Sequence, residues 1–316
     1  MDCHQEDNSL DQPGGLPAEG TVRALLEVIA PGSTHLAIDP LPGSYSNFTH
    51  LIDARSAEGT VFRVVVRRYA LFGAYDRGEK ARREFKTLEL LQANGIPVPR
   101  PLCLDEDGST LGSPGIVTSY VPGSQIHTPP DPTSWARALA TMLARIHRVP
   151  CDAEAMSFLL DADTEASWFL RSGVVPDYMT THPDGMAVWQ MVHDLWPDRQ
   201  QVPGSLVHID YWPGNVLWDQ GRIAAVVDWE EAAHGDPGID VAYCCMDMFL
   251  SGLGHVADEF LEAYTAEVGR PVVNLGLWEL AAAARPMFHA DGWISGSPGK
   301  ERFRRFIAQA MARVAR

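Results

Sequence analysis

The chain lacks any run of eighteen or more apolar residues, so no segment of it reads as a transmembrane helix. It also lacks a basic-then-apolar leader: the opening Met1-Asp-Cys-His-Gln-Glu-Asp7 is acidic, and a cytoplasmic location is expected. Cysteine is scarce. The five present (Cys3, Cys103, Cys151, Cys244 and Cys245) show neither zinc-site nor disulfide spacing, and the adjacent Cys244 and Cys245 read as small buried hydrophobes in an apolar helix. Basic residues are outnumbered, with 25 Lys and Arg against 41 Asp and Glu, for a formal net charge of −16. A phosphate backbone needs a surface rich in Lys and Arg, so this balance argues against nucleic acid as a partner. It is compatible with steering a cationic small molecule into an acidic cleft, although acidity also serves solubility alone. No internal repeat or low-complexity tract is present.

What the chain does have is 316 residues of ordinary globular composition, 46% hydrophobic and 21% charged, enough for one large or two smaller domains. Residues 1–20 carry Pro, Gly, Asp and Glu without periodicity and read as a flexible arm. A short helix is predicted over Thr21–Ala30, then strands at His35–Asp39, Asn47–Arg55 and Thr60–Tyr69. Ala81, Phe85, Leu88 and Leu91 share one face of a predicted helix over Gly78–Ala93. Two more strands, Pro101–Leu104 and Gly115–Val121, complete a small sheet domain. After Pro122-Gly123 the pattern turns helical, with Trp135–Ile146, Met186–Leu195, Asp240–Leu250, Val256–Val268, Leu275–Ala284 and Lys300–Val314. The reading is an arm over 1–20, a β-rich N-terminal lobe over 21–121 and an α-rich C-terminal lobe over 122–316.

The most informative segment is His208-Ile-Asp-Tyr-Trp-Pro-Gly-Asn215, followed by Asp228. Its spacing fits H-x-D-x-x-x-x-N, in which the Asp orients an attacking hydroxyl and the Asn binds magnesium. A hairpin is predicted between the two parts: Val216-Leu-Trp218, a turn at Asp219-Gln-Gly221, and a strand from Arg222 into Asp228. Such a hairpin would return the Asp228 carboxylate to Asn215 and present hard oxygens to one Mg²⁺. The competing reading makes Asp210 and Asn215 turn residues around Pro213-Gly214. Motif, hairpin and terminal carboxylate, followed by His234-Gly-Asp-Pro-Gly-Ile-Asp240, favour phosphotransfer over that alternative.

These residues resemble the catalytic core of the aminoglycoside phosphotransferase family, kinase-like enzymes that phosphorylate small-molecule hydroxyls. The family pattern is H-G-D-x-x-x-x-N, I-D-[WF] and G-D-P-x-x-D-[LV]-A, from which Ile209 departs where Gly is usual. The resemblance implies an α+β, bilobal protein-kinase-like fold, with a β-rich N-terminal lobe and a mainly α-helical C-terminal lobe. It implies Asp210 as catalytic base, Asn215 and Asp228 as metal ligands, and His208, Asp236 and Asp240 as supports of the loop. ATP, with GTP possible, and Mg²⁺ are the implied cofactors.

Toward the nucleotide, Leu41-Pro-Gly-Ser-Tyr-Ser-Asn47 resembles the family's G-G-x-S-N phosphate loop, and Ser46 would contact the triphosphate; an ordinary hairpin turn is the alternative. Arg67 stands where the kinase pattern V-A-I-K has Lys, and would pair with the phosphates and with Glu84 of an R-E-x-x-x-L motif; a surface arginine and a solvated glutamate are the alternatives. Backbone groups of Ser119 and Val121, in a hinge-like stretch, would meet the adenine edge.

Toward the acceptor, Glu230 and Glu231 are the best-placed carboxylates, ahead of Asp247, Asp258, Glu259 and Glu262 and of the aromatic residues Trp229, Tyr243 and Trp293. The function expected is Mg²⁺-dependent phosphorylation of a small-molecule hydroxyl by ATP. An aminoglycoside is the first acceptor, a macrolide or other antibiotic the next, and the role antibiotic resistance. A kinase for choline, homoserine or a sugar-like alcohol is the alternative, and a catalytically silent nucleotide-binding module the third reading.

Overall fold

Strand alternation builds the first half of the chain. The computed structural model describes residues 15–41, 47–70, 76–288, 293–294 and 296–315. They divide into two units, Met1–Ala93 with Pro97–Pro122, and Asn94–Ile96 with Gly123–Arg316.

In the first unit, helix α1 (Glu19–Ile29) precedes strands β1 (Thr34–Pro40), β2 (Asn47–Arg55) and β3 (Val61–Tyr69). Helix α2 (Arg77–Ala93) follows, then β4 (Pro101–Asp105) and β5 (Gly115–Ser119). The strands form one antiparallel sheet in the order β1-β2-β3-β5-β4. Ile52 and Ala54 of β2 alternate with less buried residues, as do Val64 and Val66 of β3, and they form a core with Val22, Leu25 and Leu26 of α1. The opposite side of β3 carries Val65, Arg67 and Tyr69.

Two expectations change here. The last strand stops at Ser119, two residues short, where Pro122 offers no N–H and restricts the residue before it. Helix α2 buries Ala81, Leu88 and Leu91 as expected, but Phe85 is only half-buried; Lys80, Arg83, Glu84 and Thr87 go inside instead.

The second unit holds α3 (Pro132–Ile146), α4 (Ala153–Phe158), β6 (Leu160–Asp161), α5 (Ala162–Ala166), α6 (Asp177–Thr180) and α7 (Gly185–Leu195). Then come β7 (Ser205–Val207), β8 (Val216–Asp219), β9 (Arg222–Val226) and β10 (Ala233–Gly235). Helices α8 (Gly238–Leu250), α9 (Ala257–Val268), α10 (Leu275–Ala282), α11 (Ala284–Phe288) and α12 (Gly296–Val314) complete it. Asp131 caps α3 by accepting from Ser134 N at 3.1 Å, with Pro132 at the first helical position, so the helix starts three residues before its apolar stripe. Nearly every residue of α8 is buried, and α8, α10 and α12 pack on one another around Trp278, Phe303 and Phe306.

The helix expected over Leu275–Ala284 is interrupted at Ala283. Pro286 has no N–H to give the Ala282 carbonyl, and a new short helix starts in its place. Strands β6, β10 and β7 form a small sheet that no sequence pattern announced, each being only two or three residues long. Among the described residues, no helix is long and apolar enough to cross a membrane.

Candidate active site

The segment after β7 makes a tight, irregular turn outside any sheet ladder, and its first residues take their shape from neighbours. Ile209 sits at φ +70°, a left-handed conformation that costs a β-branched residue roughly 1–2 kcal/mol. Asp240, in the first turn of α8, imposes it. Its Oδ2 accepts from His208 N at 2.7 Å and its Oδ1 from Ile209 N at 2.7 Å. The Oδ2 atom also meets His147 Nε2 at 3.0 Å, and His147 Nδ1 meets the Tyr264 hydroxyl at 2.7 Å. Asp240 is fully buried, and these donors replace the water its carboxyl has lost.

Further along the loop, the Tyr211 hydroxyl donates to the Leu139 carbonyl of α3 at 2.9 Å. Residues Pro213–Asn215 make one 3-10 turn, and the Trp212 indole folds over Gly214 so closely that a Cβ there would lie 2.2 Å from Cη2. That turn returns Asn215 to Asp210: Nδ2 donates to the Asp210 carbonyl at 2.9 Å and to Oδ2 at 3.1 Å. With Nδ2 so engaged, the Asn215 amide oxygen is the atom left for a ligand.

Strands β8 and β9 form the expected hairpin, turned at Gln220-Gly221 with φ of +45° and +76°. At its open end Val227 N donates to the Asn215 carbonyl at 2.9 Å, which sets Asp228 one residue beyond a bond to Asn215. Asp228 is also left-handed, at φ +70°. His208 ties loop and hairpin together, its Nε2 bonding the Val227 carbonyl at 2.9 Å while its ring packs 4.3 Å from that of Trp229. Asp236 Oδ1 accepts from Gly238 N, the first amide of α8, at 2.8 Å, and no bond from it to the 208–215 loop is seen among the described residues.

The most consequential group is one the sequence did not single out. Arg285 of α11 places Nη2 at 2.6 Å from Glu231 Oε2 and Nη1 at 3.6 Å from Asp210 Oδ1, with its guanidinium 4.9 Å from the centre of the Tyr243 ring. Burial pushes the Asp210 carboxyl up to about 6; Arg285 opposes this, while Glu231 and Asp228 reinforce it. Burial works against the charge of Arg285, but Glu231, Tyr243 and Asp210 outweigh it and hold the guanidinium pKa above its usual value. A single cation in the apolar run Leu280-Ala-Ala-Ala-Ala-Arg285-Pro-Met-Phe288 was the available signal.

The acceptor candidates fare unevenly. Glu231 is held by Arg285, and Glu230 is buried. Asp247 lies one turn beyond Tyr243 on α8, accepts from Ser251 Oγ at 3.4 Å, and is pushed up to about 7, by burial first and also by the charge of Asp210. Trp229 is a buried core residue whose Nε1 donates to the Val226 carbonyl at 3.1 Å, and Trp293 is exposed. Asp258 pairs with Arg313, while Glu259 and Glu262 border a groove that includes no catalytic-loop residue.

In the first unit, Arg67 Nη1 lies 3.5 Å from Glu84 Oε1 of α2 in a part-buried contact, and the Tyr69 hydroxyl bonds Glu84 Oε2 in a buried one. Arg68 points the other way and bonds the Gly15 carbonyl. Ser119 N donates to the Arg100 carbonyl at 2.9 Å and its Oγ accepts from Arg100 N at 2.9 Å, so the Ser119 N–H is committed. Val121 is half-buried just beyond the sheet. Ser46 lies outside the described residues.

A carboxyl held by an amide, a second carboxylate at a hairpin mouth and a helix-borne carboxylate bracing the loop thus come together in the second unit. The profile of the phosphotransferase enzyme family matches residues 38–275, and the chain belongs to that family. Over 206 residues it is 29% identical to acyl-CoA dehydrogenase family member 10 of Mus musculus, covering 61% of this chain and 19% of that protein. The chain spans about half or less of the length of the curated relatives it first matches. Spectinomycin phosphotransferase APH(9)-Ia, solved with ADP and spectinomycin, superposes with a TM-score of 0.64 at 14% identity, covering 95% of this chain and 99% of that one. Choline kinase LicA of Streptococcus pneumoniae gives a TM-score of 0.59 at 18% identity, over 92% of this chain and 98% of that one. At these identities the likeness is one of fold, which is protein-kinase-like.

Proposed function

We propose that the chain transfers the γ-phosphoryl group of a nucleoside triphosphate, ATP before GTP, to a hydroxyl of a small molecule, with Mg²⁺ as cofactor. The acceptor oxygen forms a bond to the γ-phosphorus as the bond to the β-bridging oxygen breaks, the nucleoside diphosphate leaves, and the hydroxyl proton passes to Asp210. The observation that carries this reading is the Asp210 carboxyl with Oδ2 held by Asn215 at 3.1 Å, which leaves Oδ1 to meet the hydroxyl.

The donor set suits magnesium. Among the described residues no group of three or more His, Cys, Asp or Glu side chains gathers to hold a metal, but magnesium commonly takes one or two protein oxygens and completes its shell with phosphate and water. The Asn215 amide oxygen and the Asp228 carboxylate are that pair. When bound, the ion offsets the negative charge of the phosphoryl group in flight. On the nucleotide side, Arg67, steadied by Glu84, would grip phosphate oxygens with Ser46, while Ser119 and Val121 would present backbone groups to the base. His208 and Asp240 hold the loop, and Asp236 contributes through the start of α8.

An aminoglycoside or related antibiotic is the first acceptor, with resistance as the role and a cytoplasmic setting. A metabolite kinase for choline, homoserine or a sugar-like alcohol is the second reading. Its sugar-like alcohol is favoured by Glu231, whose carboxylate is engaged by Arg285 at 2.6 Å rather than open to the ammonium group of a cationic acceptor. A macrolide acceptor has no such support, and a silent module would have no use for the Asp210, Asn215 and Asp228 set.

The test is transfer of label from [γ-³²P]ATP to spectinomycin, hygromycin B, erythromycin, choline and homoserine, with and without Mg²⁺. Replacement D210N is expected to lower turnover on any accepted compound by about 10²–10⁴-fold. Full turnover in D210N, or turnover indifferent to chelation of divalent ions, would overturn the reading.

A further inference from the structure

We propose that Arg285 is a positioning residue for phosphoryl transfer, its guanidinium braced on Glu231 and Tyr243 so as to hold the Asp210 carboxylate in the orientation that meets the acceptor hydroxyl. This inference rests on the proposed role of Asp210 as base.

The Asp210 carboxylate is approached on both oxygens. Asn215 holds Oδ2 with a hydrogen bond of 3.1 Å, and Arg285 faces Oδ1 at 3.6 Å. The second distance lies beyond hydrogen-bond range. Oδ1 thus feels the cation while its lone pairs remain available to a hydroxyl. The bond that fixes the guanidinium is the 2.6 Å contact to Glu231, with the Tyr243 ring 4.9 Å away on a third side. Three segments converge on this one side chain of α11: the 208–215 loop, the segment following Asp228, and α8.

Stability alone does not account for the arrangement. The Arg285 side chain is about 20% exposed and sits in an alanine-rich stretch, where a well-packed apolar residue commonly serves as well as a buried ion pair or better. What an apolar residue cannot do is orient a carboxylate. Nor is lysine equivalent, because a point charge cannot address two carboxylates through a planar fork.

The experiment uses the full chain with Mg²⁺ and ATP, taking spectinomycin, choline, homoserine and water in turn as acceptor. Variants R285A and R285K are compared with D210N and the unsubstituted chain. In R285A, kcat is expected to fall by about 10–100-fold, as for a catalytic group displaced by about 1 Å, with KM for ATP within about threefold. Added guanidinium ion, at concentrations that leave the unsubstituted chain unaffected, restores part of the lost kcat, and R285K falls between R285A and the parent.

Three results overturn the proposal: R285A with kcat within threefold of the parent, a loss of kcat indifferent to guanidinium, or a loss that merely follows a lowered unfolding midpoint. If R285A does not fold, R285K decides: a reduced kcat at unchanged KM supports the role, and an unchanged kcat sinks it. D210N separates the two levels. Full turnover in D210N, or none in the parent, removes the phosphotransferase reading itself, whereas an inactive D210N beside an active R285A removes only Arg285.

Discussion

In the first unit, Arg67 meets Glu84 because regular structure delivers both. In the second, Asp210 meets Asn215 because irregular backbone is pinned from outside. Positions 67 and 69 lie two apart on β3, so both side chains leave the same face and reach one carboxylate on α2. The sheet ladder and the helix would set these positions whatever the side chains did. The 208–215 loop has no ladder. It holds an isoleucine at φ +70° through hydrogen bonds donated by two backbone N–H groups to a buried carboxylate, and it is tied to the hairpin by a histidine. Preorganisation by register is robust and coarse; preorganisation by bracing is exact in geometry and vulnerable at one residue.

The contrast breaks most sharply at Asp240. Substitution D240A strands two buried amides and the His147 ring nitrogen, and is expected to cost about 3–5 kcal/mol in denaturant unfolding, with turnover largely lost. A cost below about 1 kcal/mol would mean the loop holds its own shape. On the register side, R67A is expected to lower turnover by about 10–100-fold and raise KM for ATP, with an unfolding midpoint close to the parent's. Collapse of the fold in R67A would show that the pair is structural rather than a phosphate grip.

A pH profile reads the braced site directly. With the Asp210 carboxyl pushed up to about 6 by burial, the ionised base is lost on acidification, so kcat/KM should fall about tenfold per unit below that pH and level off above it. Because the folded value is raised, the stability linkage runs the opposite way. The contribution of this carboxyl to folding is complete below the ordinary aspartate range and is lost as pH rises through about 6. A flat kcat/KM between pH 5 and 7 would remove Asp210 as the titrating base.

The smallest effect is the most specific. Ile209 is almost fully buried, so both I209A and I209G lose its packing, but only glycine relieves the left-handed backbone. I209G should therefore be about 1 kcal/mol more stable than I209A, the reverse of the usual order in regular structure. Equal or opposite stabilities would mean that φ +70° carries no strain there.

The sheet, the long helices and the hairpin were legible because each repeats a local signal: alternation in β2 and β3, apolar stripes in α3 and α9, a Gln-Gly turn before Arg222. The pairing of Asn215 with Asp210 was legible because the spacing between them is short and the residue types are few. What was not legible had a common cause. The strands of the small sheet are too short to show a period. The buried polar face of α2 violates the stripe because Arg67 and Tyr69 come from elsewhere to satisfy Glu84. Asp236 lies close to the motif in sequence, yet its carboxylate turned to the nearest free helix amide, Gly238, instead of the loop.

The sequence alone determined the order of elements and the grouping of Asp210, Asn215 and Asp228 around one hairpin, since both are written in neighbouring residues. Tertiary structure alone decided that Glu231 is occupied and that Asp210 faces a cation. Arg285 comes 54 residues after its partner Glu231, and no local pattern records which distant side chain will offset a carboxylate once water has been excluded from around it.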